Sequence, residues 1–342
     1  MSPGPLRGPR RTGSAGVYPD VRGALLLTLL ATLAAALVAV LFIDLGTLAA
    51  VGIGQAVGMG AVATMAARRV AEPQADRLGL RGFEMRGLIA VLCLAPLILL
   101  ASELDNLAAQ LVENADTGAA GVSATAGSDE RAASGASADA DGGEDTEADG
   151  DGRAEAPDTS GAVHGAEAVL GPLIDPEDPW GLLQAMIVLV GISPVVEEFF
   201  FRGVLQQGLV ARLGLVRGIA VVALLWTLVR PAPVDHWLRF LAASLASIVL
   251  GSALGLVRVA TGSILASILL SSLWAAVGLG SLALLGRVDL PGLNVEQSHL
   301  PWAITLVSLL AVGWAGLTLY RVARLRFRIE CRAFGLEDPG PP

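Results

Sequence analysis

Long apolar runs separated by short polar segments make up most of this chain. A helix needs about 20 apolar residues to cross the hydrocarbon core of a bilayer. We predict eight spans, near residues 24–43, 46–67, 87–102, 181–201, 216–230, 240–258, 262–285 and 301–320. Because helices satisfy their own backbone groups in lipid, the predicted fold class is all-α: a polytopic membrane protein, a bundle of about eight transmembrane helices.

The arginines predict the orientation of these spans, since cytoplasmic segments carry an excess of basic residues. With the N-terminus in the cytoplasm, the clusters Arg68–Arg86 and Arg321–Arg332 fall on the cytoplasmic side, whereas Arg230, Arg239 and Arg287 fall outside. The sequence therefore predicts a multi-pass protein of the cytoplasmic (inner) membrane with both termini in the cytoplasm.

An acidic segment divides the chain. Residues 113–167 hold fourteen acidic residues and two arginines and no aromatic residue. Such a composition buries too little apolar area to fold alone, so we expect a disordered extracytoplasmic linker. The predicted organisation is an N-terminal three-span membrane region (1–112), the linker (113–167), a five-span core (168–330) and a C-terminal tail (331–342).

Composition supports the membrane assignment and limits the partners. Hydrophobic residues make up 54% of the chain, and the mean hydropathy is +0.64. The formal net charge of −9 comes from the linker and says little about the membrane part. The chain has arginine but no lysine, a composition typical of GC-rich bacterial genomes. We expect membrane lipids as partners, with anionic headgroups at the basic tail, and no nucleic acid.

Small residues in the second span predict close helix packing. Gly54 and Gly58 are four residues apart, as in the small-xxx-small pattern that lets two helix backbones approach. Packing within this protein and dimerisation both use the pattern, and we favour packing within the protein.

Two adjacent acids in the fourth span point to chemistry. Charged residues inside a membrane are costly and mark functional sites. Glu198 and Arg202 are i,i+4 neighbours with the acid first, so they can neutralise each other. Glu197 points about 100° away and gains no partner from its own helix. A free, partly desolvated carboxylate suits a general base.

The stretch Pro194 to Gly203 contains an EExxxR signature and resembles the CPBP family of intramembrane endopeptidases, which includes CAAX prenyl proteases and bacteriocin-processing proteins. The run Gly255 to Ile268, with Arg258 before Thr261-Gly262-Ser263, resembles the approach to the family's last motif. The resemblance covers about residues 180–285. It implies an intramembrane protease fold, a peptide or protein substrate or partner within the membrane, and a zinc-like metal.

The resemblance also implies two histidines and an asparagine that this chain lacks. The position of the FxxxH histidine is Arg230, and the HxxxN positions are Ser271 and Ala275. Arginine neither ligates a metal nor acts as a base near neutral pH. Arg230 either forms a buried ion pair with Glu197 or extends to the interface, and the sequence leaves both open. Helix rise places Arg230, Ser271 and the glutamates at comparable depths, so we expect them to converge.

Other histidines offer little replacement. His164 falls in the linker, His299 precedes the last span, and His236 follows two prolines in a turn beside Trp237. We therefore predict no metal site from spacing.

Three hypotheses for function follow. The residues favour a protein that keeps the fold as a binding, scaffold or immunity module, with proteolysis impaired at Arg230, Ser271 and Ala275. The alternative is an active endopeptidase with Glu197 as general base, Glu198 and Arg202 in support, and an unrecognised ligand set. A transporter with a carboxylate proton relay is a third class, although no inverted repeat is visible.

Overall fold

The computed structural model describes residues 18–83, 85–112, 114, 174–175, 177–230, 236–295 and 298–333. Within these residues, seven helices are long and apolar enough to cross a membrane, and one shorter apolar helix lies among them. This confirms the all-α membrane fold. The predicted linker, residues 113–167, lies outside the described residues apart from Asn114.

Each predicted span corresponds to one helix. The helices are α1 Val21–Leu41, α2 Thr47–Ala67, α3 Gly87–Val112, α4 Pro179–Leu213, α5 Leu215–Leu228, α6 Trp237–Thr261, α7 Ile264–Ala283 and α8 Trp302–Ala333. Short helices at Ile43–Leu45 and Gln74–Leu78 lie in the connections. The fifth helix has only 14 residues. The last continues to Ala333, past the predicted start of the tail at residue 331.

Two of the membrane helices contain wider, π-helical turns. In α2 the π-helical stretch is Gly54–Met59. In α4 there are two, Met186–Ile192 and Phe199–Leu205, which flank the α-helical segment Ser193–Glu198. Such turns are rare and recur at functional sites. The paired glutamates therefore lie on the one regular stretch between two irregular ones.

Glycines in α2 allow α1 to approach its backbone. A Cβ atom added at Gly58 would lie 2.5 Å from the carbonyl oxygen of Ala34, and one at Gly54 would lie 2.5 Å from that of Ala35. Any side chain at these positions would collide with main chain. The prediction that the small-xxx-small pattern serves packing within this protein is confirmed.

The turn between α6 and α7 is hydrogen-bonded to the segment that follows α2. The guanidinium of Arg258 donates to the Arg77 carbonyl oxygen at 2.8 Å, and the Ile264 amide donates to the Gly79 carbonyl oxygen at 2.9 Å. Ser263 begins α7 by accepting from the Leu265 amide, and its hydroxyl donates to a carbonyl in the loop after α2. The run that resembles the family's last motif thus holds α6 and α7 to the N-terminal region.

Candidate intramembrane site

Glu198 and Arg202 form a fully buried ion pair within α4. The Nη1 atom of Arg202 lies 2.9 Å from Oε1 of Glu198, and neither side chain is exposed. The second guanidinium nitrogen donates to the Gly251 carbonyl oxygen of α6 at 3.1 Å. Buried charges are tolerated when they are paired and hydrogen-bonded. The i,i+4 pair predicted from the sequence is confirmed.

One turn further along α4, the same face makes a second hydrogen bond to α6. The side-chain amide of Gln206 donates to the Gly255 carbonyl oxygen at 2.7 Å. Arg202 and Gln206 are four residues apart, as are Gly251 and Gly255, so two donors meet two carbonyls in register. Sequence reasoning missed Gln206. The matched spacing of the two donors and the two glycines is the signal that could have found it.

Trp226 lies at the centre of the site and connects its charged groups. Its indole Nε1 donates to Oε2 of Glu197 at 2.9 Å. The guanidinium carbon of Arg230 lies 4.2 Å from the centre of its ring system, and that of Arg202 lies 4.8 Å away. Both distances are within the range of cation–π attraction. Trp226 is almost fully buried, whereas Glu197 is half-buried and Arg230 is exposed.

This arrangement bears on the two alternatives for Arg230. The contact that the structure shows is with Trp226, which also binds Glu197 through its N–H edge. Arg230 and Glu197 are therefore linked through one indole. Arg230 is also close enough to interact electrostatically with Glu198.

Helix α7 contributes Ser267 to the surroundings of Glu198. It packs against the α4 segment Ser193–Glu198. The buried Ser267 hydroxyl donates to the Ile264 carbonyl oxygen and lies near Glu198. Ser271 and Ala275 follow at intervals of four residues, so they continue this face of α7, and both are half-buried.

A further contact fixes the rotation of α7. Trp274 donates from its indole N–H to the Ala95 carbonyl oxygen at 3.1 Å, where the helix α3 is interrupted by a turn at residues 93–96. Within α3 this carbonyl accepts only a long hydrogen bond, 3.4 Å, from the Ile98 amide, so the indole N–H adds a second donor.

Helix α2 adds two polar groups that sequence reasoning missed. The Ser193 hydroxyl donates to the side-chain oxygen of Gln55, which lies in the π-helical stretch of α2. Ser193 is one turn before Glu197 and is buried. The polar cluster therefore extends from α4 into the N-terminal three-span region. A glutamine in an apolar run was the available signal.

The histidines lie elsewhere. His236 caps α6, where its ring nitrogen accepts from the Leu238 amide at 3.2 Å, and it stacks beside Trp237. His299 pairs with Glu103 at 2.5 Å, in the loop that also receives the Asn106 amide. His164 lies outside the described residues.

The donor set at the site does not suit the zinc-like ion implied by the resemblance. Glu198 is paired with Arg202, and Glu197 accepts from an indole N–H. Arg230, which the sequence predicts at the histidine position, contributes a permanent positive charge, which repels a cation. In the part of the chain that the structure describes, no three His, Cys, Asp or Glu side chains gather into a metal-binding group.

Fold and site together define a polytopic helical protein with a charged cluster inside its membrane part. Residues 179–277 match the family model of Rce1-like proteins, described as type II CAAX prenyl endopeptidases. This segment, which contains all the predicted site residues, is thus similar to the CAAX protease family, and the match supports the family predicted from the glutamate signature. No curated protein and no solved structure matches the chain significantly.

Proposed function

We propose that this protein uses the fold of CAAX-type intramembrane proteases as a membrane-embedded binding or scaffold module, with the peptide hydrolysis of the family impaired. One observation carries the proposal. The guanidinium of Arg230, which we assign to the position of the family's first histidine, lies 4.2 Å from the Trp226 ring, and the N–H of that ring donates to Glu197.

The physical reason concerns how water is activated. A general base needs a free lone pair near the water, and a metal needs neutral or anionic ligands. Arg230 supplies neither, because a guanidinium stays protonated near neutral pH and has no lone pair to offer. Ser271 and Ala275 lack the imidazole and amide of the family. The cluster is therefore better suited to holding a ligand or the fold than to cleaving a peptide.

The active endopeptidase remains a second candidate because of one feature. The Glu198–Arg202 pair is closed and fully buried, whereas Glu197 is half-buried and accepts from a neutral donor. Such a carboxylate retains lone pairs for a water molecule. In this reading Glu197 is the base, and Glu198 with Arg202 positions it.

Cleavage and metal content distinguish the two candidates. Purified full-length protein is incubated with a family-type peptide, and products are read by mass spectrometry alongside elemental analysis. We expect wild type and Glu197→Gln to give the same background and less than one bound metal ion per chain. Metal-dependent cleavage that disappears in Glu197→Gln would refute the proposal in favour of the protease.

Restoring the motif tests the proposed cause of the impairment. We expect the triple variant Arg230→His, Ser271→His and Ala275→Asn to gain metal binding. Arg230→Gln, which removes the charge without adding an imidazole, is the matched control and gains none. If the triple variant folds and binds no more metal than this control, the three positions do not correspond to the family's ligands.

A further inference from the structure

The end of α5 is displaced toward the interior of the membrane. Helix α5 has 14 residues, roughly 21 Å at 1.5 Å per residue, whereas the hydrocarbon core is about 30 Å thick. It begins at Leu215, directly after Gly214 ends α4. Its other end, Leu228, lies two residues before Arg230 and therefore stops short of the far interface.

The packing of α5 against α6 gives an independent measure of the depth of Arg230 in the membrane. A Cβ atom at Gly255 would touch Ile219, and one at Gly251 would lie 3.2 Å from Ala223, so α5 and α6 run antiparallel in register. Continuing this register places Arg230 level with about residue 244. Since α6 begins at Trp237, Arg230 lies roughly 10 Å below that end of the helix.

Several side chains of α5 and α6 near the level of Arg230 are apolar and exposed. Leu228 is 70% exposed, and Leu224, one turn earlier on α5, is also exposed. On α6 the side chains at the same level, Leu241 and Leu245, are exposed as well. Trp237 is exposed at the start of α6, where aromatic residues mark the interface. Arg230 is thus an exposed cation below the interface, at the level of exposed leucines.

A cation in this position is costly unless anions compensate it, and Glu198, which interacts with Arg230 electrostatically, already carries the closer charge of Arg202. Bilayers respond by thinning locally, which draws headgroups toward the charge. Arg230 does not move freely to the interface, because its guanidinium lies 4.2 Å from the Trp226 ring, and Trp226 is fixed by its hydrogen bond to Glu197. The Arg230 guanidinium is therefore held in place below the interface, where a lipid headgroup can bind it.

We propose that Arg230 binds the phosphate of a membrane phospholipid, with the acyl chains along the exposed leucines of α5 and α6. Guanidinium groups bind phosphate oxygens through paired N–H donors. The stack on Trp226 occupies a face of the guanidinium and leaves N–H edges for this purpose. The bilayer is then locally thinned beside the polar cluster. The inference does not depend on whether the cluster hydrolyses peptides.

Photolabelling tests this site on the full-length protein. The probe is a phosphatidylglycerol with a photoactivatable group near its glycerol, and labelled peptides are mapped by mass spectrometry. We expect labelling of the peptides that contain Leu228 or Leu241. Arg230→Met should reduce this labelling at least about fivefold, equivalent to about 1 kcal/mol. Arg230→Lys should retain part of it, because the charge remains.

Two controls show whether the loss of photolabelling in Arg230→Met is specific to this arginine and to the lipid phosphate. Arg217→Met removes an exposed arginine from the opposite end of the same helix and should leave the labelling near Leu228 unchanged. A diacylglycerol probe with the same chains and no phosphate should label these peptides no more than the Arg230→Met protein is labelled. If Arg230→Met fails to fold, the comparison of the two probes on the wild-type protein shows whether labelling requires the phosphate.

Three outcomes would overturn the proposal. Equal labelling by the two probes would show that phosphate is not recognised. Unchanged labelling in a folded Arg230→Met protein would show that another group binds it. Loss of labelling on addition of inorganic phosphate at millimolar concentration would assign the site to the free ion and not to a lipid.

Discussion

Glu198 forms its ion pair with Arg202 inside the membrane part of α4. Because both partners of the Glu198–Arg202 pair are fully buried, removal of one leaves an uncompensated charge. Breaking such a pair costs about 3–5 kcal/mol of stability. We expect Glu198→Gln to lower the free energy of unfolding by this amount in detergent unfolding experiments. Glu197→Gln, at the half-buried neighbour, is the control and should cost about 1 kcal/mol, the value of one hydrogen bond.

The double variant Glu198→Gln with Arg202→Met adds a check on this prediction. With both charges gone, we expect much of the stability to return, since replacing a buried pair by apolar groups is often neutral. A double variant less stable than Glu198→Gln alone would contradict the pairing. It would instead make the Arg202–Gly251 hydrogen bond the dominant contribution.

Trp226 should couple Glu197 to Arg230. We expect a double-mutant cycle of Glu197→Gln and Arg230→Ala to show a coupling of about 0.5–3 kcal/mol in the free energy of unfolding, as found for residues in one network. In a Trp226→Leu background the coupling should fall to near zero, because the indole makes both contacts. Strict additivity in the wild-type background would contradict the linkage, and coupling that survives without Trp226 would favour a direct ion pair.

Among the helices, the contact between α1 and α2 depends on a glycine. We expect Gly58→Val to destabilise the protein by about 1–3 kcal/mol, the usual cost of overpacking, since its Cβ would meet the Ala34 carbonyl at 2.5 Å. Gly60→Val is the matched control in the same helix, because its nearest atom is 3.7 Å away. Thermal unfolding of both variants gives the comparison. Equal losses would place the α1–α2 contact elsewhere.

The turn between α6 and α7 also depends on a glycine, here because the backbone is left-handed at Gly262. Gly262 has a φ of +71°, and a Cβ there would lie 2.3 Å from the Arg326 guanidinium of α8. We expect Gly262→Ala to cost about 1–2 kcal/mol from the left-handed backbone alone. Gly278→Ala, in α7 with no atom near its Cβ, should be neutral or stabilising. Differential scanning fluorimetry of the two variants measures the difference.

For the molecule as a whole, α5 decides the topology. If this short helix counts as a crossing, the chain crosses eight times and both termini lie on one side. Its antiparallel contact with α6 supports this reading. We expect reporter fusions at Gly214 and at the C-terminus to report the cytoplasm, and a fusion in the 113–167 segment to report the outside. Opposite locations for the two termini would contradict the eight-crossing arrangement.

Much of this architecture was predictable because the bilayer restricts it. Apolar runs in lipid must be helical, so the eight helices follow from hydropathy, and the Glu198–Arg202 pair follows from i,i+4 spacing. Helix ends were less predictable. Hydropathy does not mark the residue at which a helix ends, because a helix can continue past the membrane into water. Helices α4 and α8 both continue well beyond their apolar runs. The π-helical turns have no sequence signal that we used.

The sequence by itself determined the fold class, the family signature at Glu197 and Glu198, and the absence of histidine from positions 230 and 271, because these depend on local composition and spacing. Only the tertiary structure decided that Trp226 joins Glu197 to Arg230, that Gln55 reaches Ser193, and that Arg230 lies below the end of α6. These contacts connect different helices. Their rotation and depth are set by packing at glycines and by interhelical hydrogen bonds, which no single segment specifies.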